Sequence, residues 1–102
     1  MPLPFSNEGG INMNAYFNGY VVKEVEAIIT SDTAITINAN GNSLSLTNNG
    51  ANTIYIGTTS AVTSANGYPL KADASTMIKN TIYVVMESGA TGDLRTARLE
   101  VI

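Results

Sequence analysis

Cysteine, histidine and tryptophan are absent from this chain of 102 residues. Without cysteine neither a disulfide framework nor a thiolate metal site can form, so the stability of so small a domain rests on packing or on association. Without histidine no side chain ordinarily changes charge near neutral pH, and a serine nucleophile would find only carboxylates and lysines as partners. No catalytic residue, metal ligand or cofactor is therefore expected, and the chain does not read as an enzyme. Charge is scarce too. Asp, Glu, Lys and Arg make up 13% of the sequence, the net charge is −3, and the five cations Lys23, Lys71, Lys79, Arg95 and Arg98 are scattered. A nucleic-acid partner, which calls for clustered basic groups, is not expected. No apolar run reaches the ~20 residues that span a bilayer, and Met1–Gly10 lacks the basic start and apolar run of a signal peptide. No membrane partner is expected, and the chain reads as one made in a cytosol.

In place of charge the sequence carries Gly, Asn, Ser and Thr, neutral groups suited to strands, turns and surfaces that lie against other protein. The length fits one domain, which would bury roughly two-thirds of its unfolded surface. Residues 1–18 hold two prolines, a Gly-Gly pair and several Asn without lasting periodicity, and read as an extended arm. Leu3, Phe5, Ile11, Met13, Tyr16 and Phe17 are many apolar residues for a solvated tail, so the arm is expected to dock on its own domain or on a neighbouring subunit. The alternative is a loose terminus with stray apolar residues.

From residue 19 onward the hydrophobic period is two, the signature of half-buried strands. In residues 21–29 Val25, Ala27 and Ile29 alternate with Glu24 and Glu26, which predicts a strand with the carboxylates outward; a short helix is the rival. Residues 33–39 and 42–47 alternate around Asn40-Gly41, a dipeptide that favours the positive φ of a tight turn, and predict a hairpin. Residues 53–57 form a strand with Ile54 and Ile56 inward and Tyr55 outward, followed by a polar loop that ends in Asn66-Gly67-Tyr68-Pro69-Leu70. Strands at 75–80, 81–87 and 94–102 complete the chain, with a Gly-marked turn at 88–93 before the last. The expected fold is all-β, a small antiparallel β-sandwich or barrel over residues 19–102 with the extended arm before it.

Few groups offer chemistry. Glu24 and Glu26 share one strand face, which admits a carboxylate pair but fits a solvated edge better. The stretch Asn38–Ser43 faintly resembles a calcium loop, yet its ligand-like side chains are neutral amides and turn chemistry explains it. Tyr55, Tyr68 and Tyr83 could stack on sugar rings. The plainer reading is a cross-strand pair of Tyr55 and Tyr83, or a patch that meets protein through apolar area and a hydrogen-bonding tip.

The stretch Asn49-Gly50-Ala51-Asn52-Thr53-Ile54-Tyr55-Ile56-Gly57, followed by Val62-Thr63, Asn66-Gly67-Tyr68-Pro69-Leu70, Ile82-Tyr83, Ser88-Gly89-Ala90 and Leu99-Glu100-Val101-Ile102, resembles a β-rich module of tailed-bacteriophage virion proteins. The pattern covers about half of the chain; residues 71–75 depart from its usual turn, and the N-terminal half lies outside it. The resemblance implies a structural role as a capsid cement, decoration or head-fibre component, commonly a homo-oligomer and often a trimer. The expected function is thus a capsid cement or decoration protein on the outside of the major capsid protein shell, located in the virion and made in the host cytoplasm. The expected protein contacts are Leu3, Phe5, Ile11, Tyr16, Phe17, Tyr55, Tyr68 and Tyr83, with the arm adding a strand to a neighbour's sheet. The alternative is a carbohydrate-binding or fibre-attachment module of a phage tail.

Overall fold

The computed structural model describes Tyr16, Phe17 and residues 20–101. The described residues contain nine strands and no helix: β1 (Tyr16–Phe17), β2 (Tyr20–Thr30), β3 (Ile35–Ile37), β4 (Ser43–Asn48), β5 (Ile54–Gly57), β6 (Tyr68–Leu70), β7 (Ser75–Ile78), β8 (Ile82–Val85) and β9 (Gly92–Val101). They form a five-stranded sheet in the order β1-β2-β9-β4-β7 and a four-stranded sheet in the order β3-β8-β5-β6, every pairing antiparallel. The all-β class expected from the period of two is the observed one. Residues 21–29 are strand rather than helix, and Tyr16 and Phe17, at the end of the expected arm, pair with β2.

Alternation along each strand assigns its two faces. The five-stranded sheet presents Leu44 and Leu46 of β4 inward with Leu94 of β9, and the four-stranded sheet answers with Ile54, Leu70, Ile82 and Val84. Leu46, Ile54, Val84 and Leu94 have no exposed surface. Side chains of this kind contribute about 1.5–3 kcal/mol each when fully buried, which makes these the main support of a chain with no cross-link. Asn48 is a fully buried polar residue, and its side chain ties the sheets together: Nδ2 donates to the carbonyls of Asn52 (2.8 Å) and Leu70 (2.9 Å), and Oδ1 accepts from the Gly50 N–H (3.0 Å).

Three local expectations are corrected. The Asn40-Gly41 turn forms, with φ of 54° and 79° and an Asn42 N–H to Ala39 carbonyl bond of 3.0 Å. It does not close a hairpin: β3 pairs with β8, while β4 pairs with β9 and β7. β4 finds a six-residue partner in β9, where β3 could offer only three, so the chain uses the turn to step across the core from one sheet to the other. Second, the faces of β2 are reversed. Val22 lies opposite Leu99 but Glu24 lies opposite Arg98, so a bulge at Lys23 shifts the register by one residue. A one-residue shift exchanges the two faces of everything beyond it. Glu24, Glu26 and Ile28 therefore share the inner side with Leu44, Leu46 and Leu94, and Val25, Ala27 and Ile29 point outward. Third, Tyr68–Leu70 is not only loop; it is the edge strand β6, where Pro69 is tolerated because one side of the strand needs no donor.

The polar loop before β6 folds onto the outer side of the four-stranded sheet. Val62 is buried there against Gly57, whose Cα hydrogen occupies a place where a Cβ would lie 2.5 Å from the Val62 Cβ. Val85 also faces that side, opposite Tyr55, and is buried.

Candidate functional site

Two surfaces stand out, both consequences of the bulge in β2. The first is the outer face of the five-stranded sheet. Val25, Ala97, Ser45 and Met77 form one continuous row across β2, β9, β4 and β7, and Ala27, Arg95, Thr47 and Ser75 form the next. Val25 is 66% exposed, Met77 48%, and Ile29, one step further along β2, 82%. Exposed branched side chains on a sheet face, interspersed with Ala, Ser and Thr, make a smooth and largely uncharged surface. Asp93 and Arg95 on this face neutralise one another: Arg95 Nε and Nη2 donate to the two Asp93 carboxylate oxygens at 2.8 and 2.9 Å. Arg95, and then the Asn49 side-chain amide at 3.0 Å, hold the Asp93 carboxyl at about 2, below its ordinary 3.8. The Arg95 guanidinium is raised in turn by Asp93. At the other end of the face, the opposed pair Ser43 and Leu99 is buried.

The second surface is a cleft of about 430 Å³ where the inner sides of the two sheets part, between β2 and β3. Its apolar floor comes from Ile28, Ile37 and Leu44. Glu24, Glu26, Arg98 and Thr96 come from the five-stranded sheet, and Thr36, Asn38, Asn40 and Asn42 from β3 and the turn that follows it. Arg98 Nε donates to Glu24 Oε1 at 3.2 Å and Nη1 to Glu100 Oε2 at 3.4 Å, partly exposed pairs of modest energetic value. The two glutamates read as a solvated outer edge are thus cleft-lining groups, because the register shift turns them inward.

The tyrosines do not meet on one surface. Tyr55 lies opposite Val85, and Tyr83 opposite Gly57, so these two are diagonal neighbours on the outer side of the four-stranded sheet rather than a directly opposed pair. Both are half-buried, and Val62 and the Gly67 backbone pack beside Tyr55. Tyr68 lies opposite Ile56, on the other side of that sheet, and is 69% exposed. Leu3, Phe5 and Ile11 lie outside the described residues; Tyr16 and Phe17 make up β1. The contact candidates that alternation alone missed are Val25 and Ile29, since a bulge leaves no mark in the alternation itself, and Met77, exposed on β7.

Among the described residues, no group of three or more carboxylates is placed to hold a metal ion, and no helix is long and apolar enough to cross a membrane. No protein-family model, curated protein or solved structure matches the chain.

Proposed function

We propose that the protein is a structural component of a bacteriophage virion, a capsid cement or decoration protein that binds the outside of the major capsid protein shell as a homo-oligomer, with a trimer favoured. The observation that carries this reading is the outer face of the five-stranded sheet, where Val25, Ile29 and Met77 are exposed and the charges of Asp93 and Arg95 cancel. Several large apolar side chains exposed on one sheet face of a small domain suit a place where other protein is bound, and a low density of charge is typical of the centre of a contact surface. The phage-module resemblance of residues 49–102 supports the same role. The shape of the domain supports it too, since a sheet face laid flat over neighbouring subunits adds contacts to a shell under pressure from packaged DNA.

The tail-module alternative, in the form that uses tyrosines as a stacking platform, is not favoured, because Tyr68 lies across the sheet from Tyr55 and Tyr83. Mass spectrometry of purified particles tests the leading proposal. The protein should be present in mature virions in numbers that scale with the major capsid protein, and its absence from them would sink the idea. Light scattering of the free protein distinguishes a trimer from a monomer.

A further inference from the structure

We propose that the cleft between β2 and β3 binds a neutral, hydroxyl-rich ligand, one or two sugar units of a glycan. This assignment does not depend on the virion reading, and it uses none of the tyrosines. The cleft volume of about 430 Å³ falls in the range of small-ligand sites. Its floor of Ile28, Ile37 and Leu44 offers carbon atoms to the C–H face of a pyranose ring, while the walls offer groups that both donate and accept hydrogen bonds, as sugar hydroxyls do.

The walls are chemically selective. Asn38 Oδ1 is already engaged, accepting from the Asn40 N–H at 2.8 Å and the Thr81 hydroxyl at 3.3 Å, which leaves the Asn38 amide NH₂ to donate. Asn40 and Asn42 add two more amides on the same rim. Glu24 and Arg98 neutralise one another, so Glu26 leaves the cleft with one net negative charge. That charge disfavours phosphate, sulfate and acidic sugars and supplies an acceptor pair for neighbouring hydroxyls.

Thr96 is the independent sign of a missing partner. It lines the cleft, is only 4% exposed, and among the described residues its hydroxyl makes no hydrogen bond. A buried hydroxyl without a partner is costly, and buried polar groups are ordinarily satisfied. A ligand hydroxyl seated on the floor beside Leu44 would meet it.

The test is a ¹H–¹⁵N NMR titration of the full-length protein with glucose, galactose, mannose, N-acetylglucosamine and their common neutral disaccharides, with sulfate and Ca²⁺ as comparators. At least one neutral sugar should give saturable shifts centred on residues 38–42 and 96–98. Thr96→Val, which keeps the shape and removes the hydroxyl, should retain a folded spectrum and weaken that binding about fivefold, the worth of one net hydrogen bond. Glu26→Gln serves as the second variant and should relieve the rejection of anions, so that sulfate begins to shift the same amides. Saturation by sulfate or Ca²⁺ alone in the unmodified protein would overturn the proposal. So would shifts that map away from the cleft, or no saturable response to any neutral sugar.

Discussion

The Asn48 amide donates to the Leu70 carbonyl at 2.9 Å, a hydrogen bond from the five-stranded sheet to the edge strand of the four-stranded sheet. Asn48 has no exposed surface, and its two other side-chain bonds hold the Asn49–Asn52 turn that leads into β5. Its backbone is engaged as well, the N–H donating to the Ala74 carbonyl at 3.0 Å and the carbonyl accepting from the Asp73 N–H at 2.9 Å. One residue thus fixes β4, the turn before β5, β6 and the approach to β7.

Asn48→Ala should therefore be among the most damaging single changes. It leaves the Leu70 and Asn52 carbonyls and the Gly50 N–H without their partner, and each buried group left unsatisfied costs about 1–3 kcal/mol. We expect a loss of about 3 kcal/mol, read as a lower urea midpoint with little change in slope. A loss below about 0.5 kcal/mol, the size of an ordinary surface change, would show that the bond does not tie the sheets together.

The loop over the four-stranded sheet makes a prediction about two residues jointly. The Gly57 site has no room for a Cβ, which would lie 2.5 Å from Val62, so Gly57→Ala must push Val62 and its loop outward. Overpacking of this kind costs about 1–3 kcal/mol. In a Val62→Gly background, which removes both the Cβ and the Cγ2 that the new methyl would meet, the same substitution should cost less, giving a coupling energy of about 1 kcal/mol in a double-mutant cycle. Additive effects would mean that the loop does not rest on Gly57.

Much of this fold is legible in the sequence, and the failures have a common cause. Strand positions follow from alternation between Gly- and Asn-marked turns, and the inward pair Ile54 and Ile56 is read correctly from it. Pairing is a nonlocal choice, so Asn40-Gly41 announces a tight turn without saying that β9 outcompetes β3 as the partner of β4. The bulge at Lys23 is equally silent, because Val25, Ala27 and Ile29 alternate identically whichever side they face. The cleft and the exposed face of β2 depend on that bulge, so they are less legible in the sequence than the fold is. Asn48 was similarly hidden, as one Asn among several in a stretch that reads as turn.

Asp93 carries a pH signature. Its carboxyl is held at about 2 by Arg95 first and Asn49 second, against an ordinary value of 3.8. For a carboxylate depressed in the folded state the stabilising contribution is complete above the unfolded value and fades as pH falls through the folded one. The contribution of this group should accordingly be intact above about pH 4 and decline toward about pH 2. Carboxyl ¹³C NMR should find the Asp93 midpoint well below its ordinary 3.8. Arg95→Gln should raise it more than Asn49→Ala does. An Asp93 midpoint near its ordinary value in the unmodified protein would show that the ion pair is not held in solution.

The outer face of the five-stranded sheet separates stability from binding. Val25 and Ile29 point away from the core and are 66% and 82% exposed, so Val25→Lys and Ile29→Lys should change folding stability by no more than about 0.5 kcal/mol. On the proposed role they should nonetheless reduce binding to the capsid shell. A charge placed in the centre of an apolar contact must be desolvated without a partner, at a cost of at least about 1.4 kcal/mol, which is tenfold in affinity. Co-sedimentation of the purified variants with capsids lacking the protein reads this directly, with thermal unfolding as the control for folding. Changing Glu87 to Lys, an exposed position just beyond β8 in the four-stranded sheet, should leave co-sedimentation unchanged. Equal binding by the Val25, Ile29 and unmodified proteins would remove this face from the contact and leave the apolar row from Val25 to Met77 without a role in assembly.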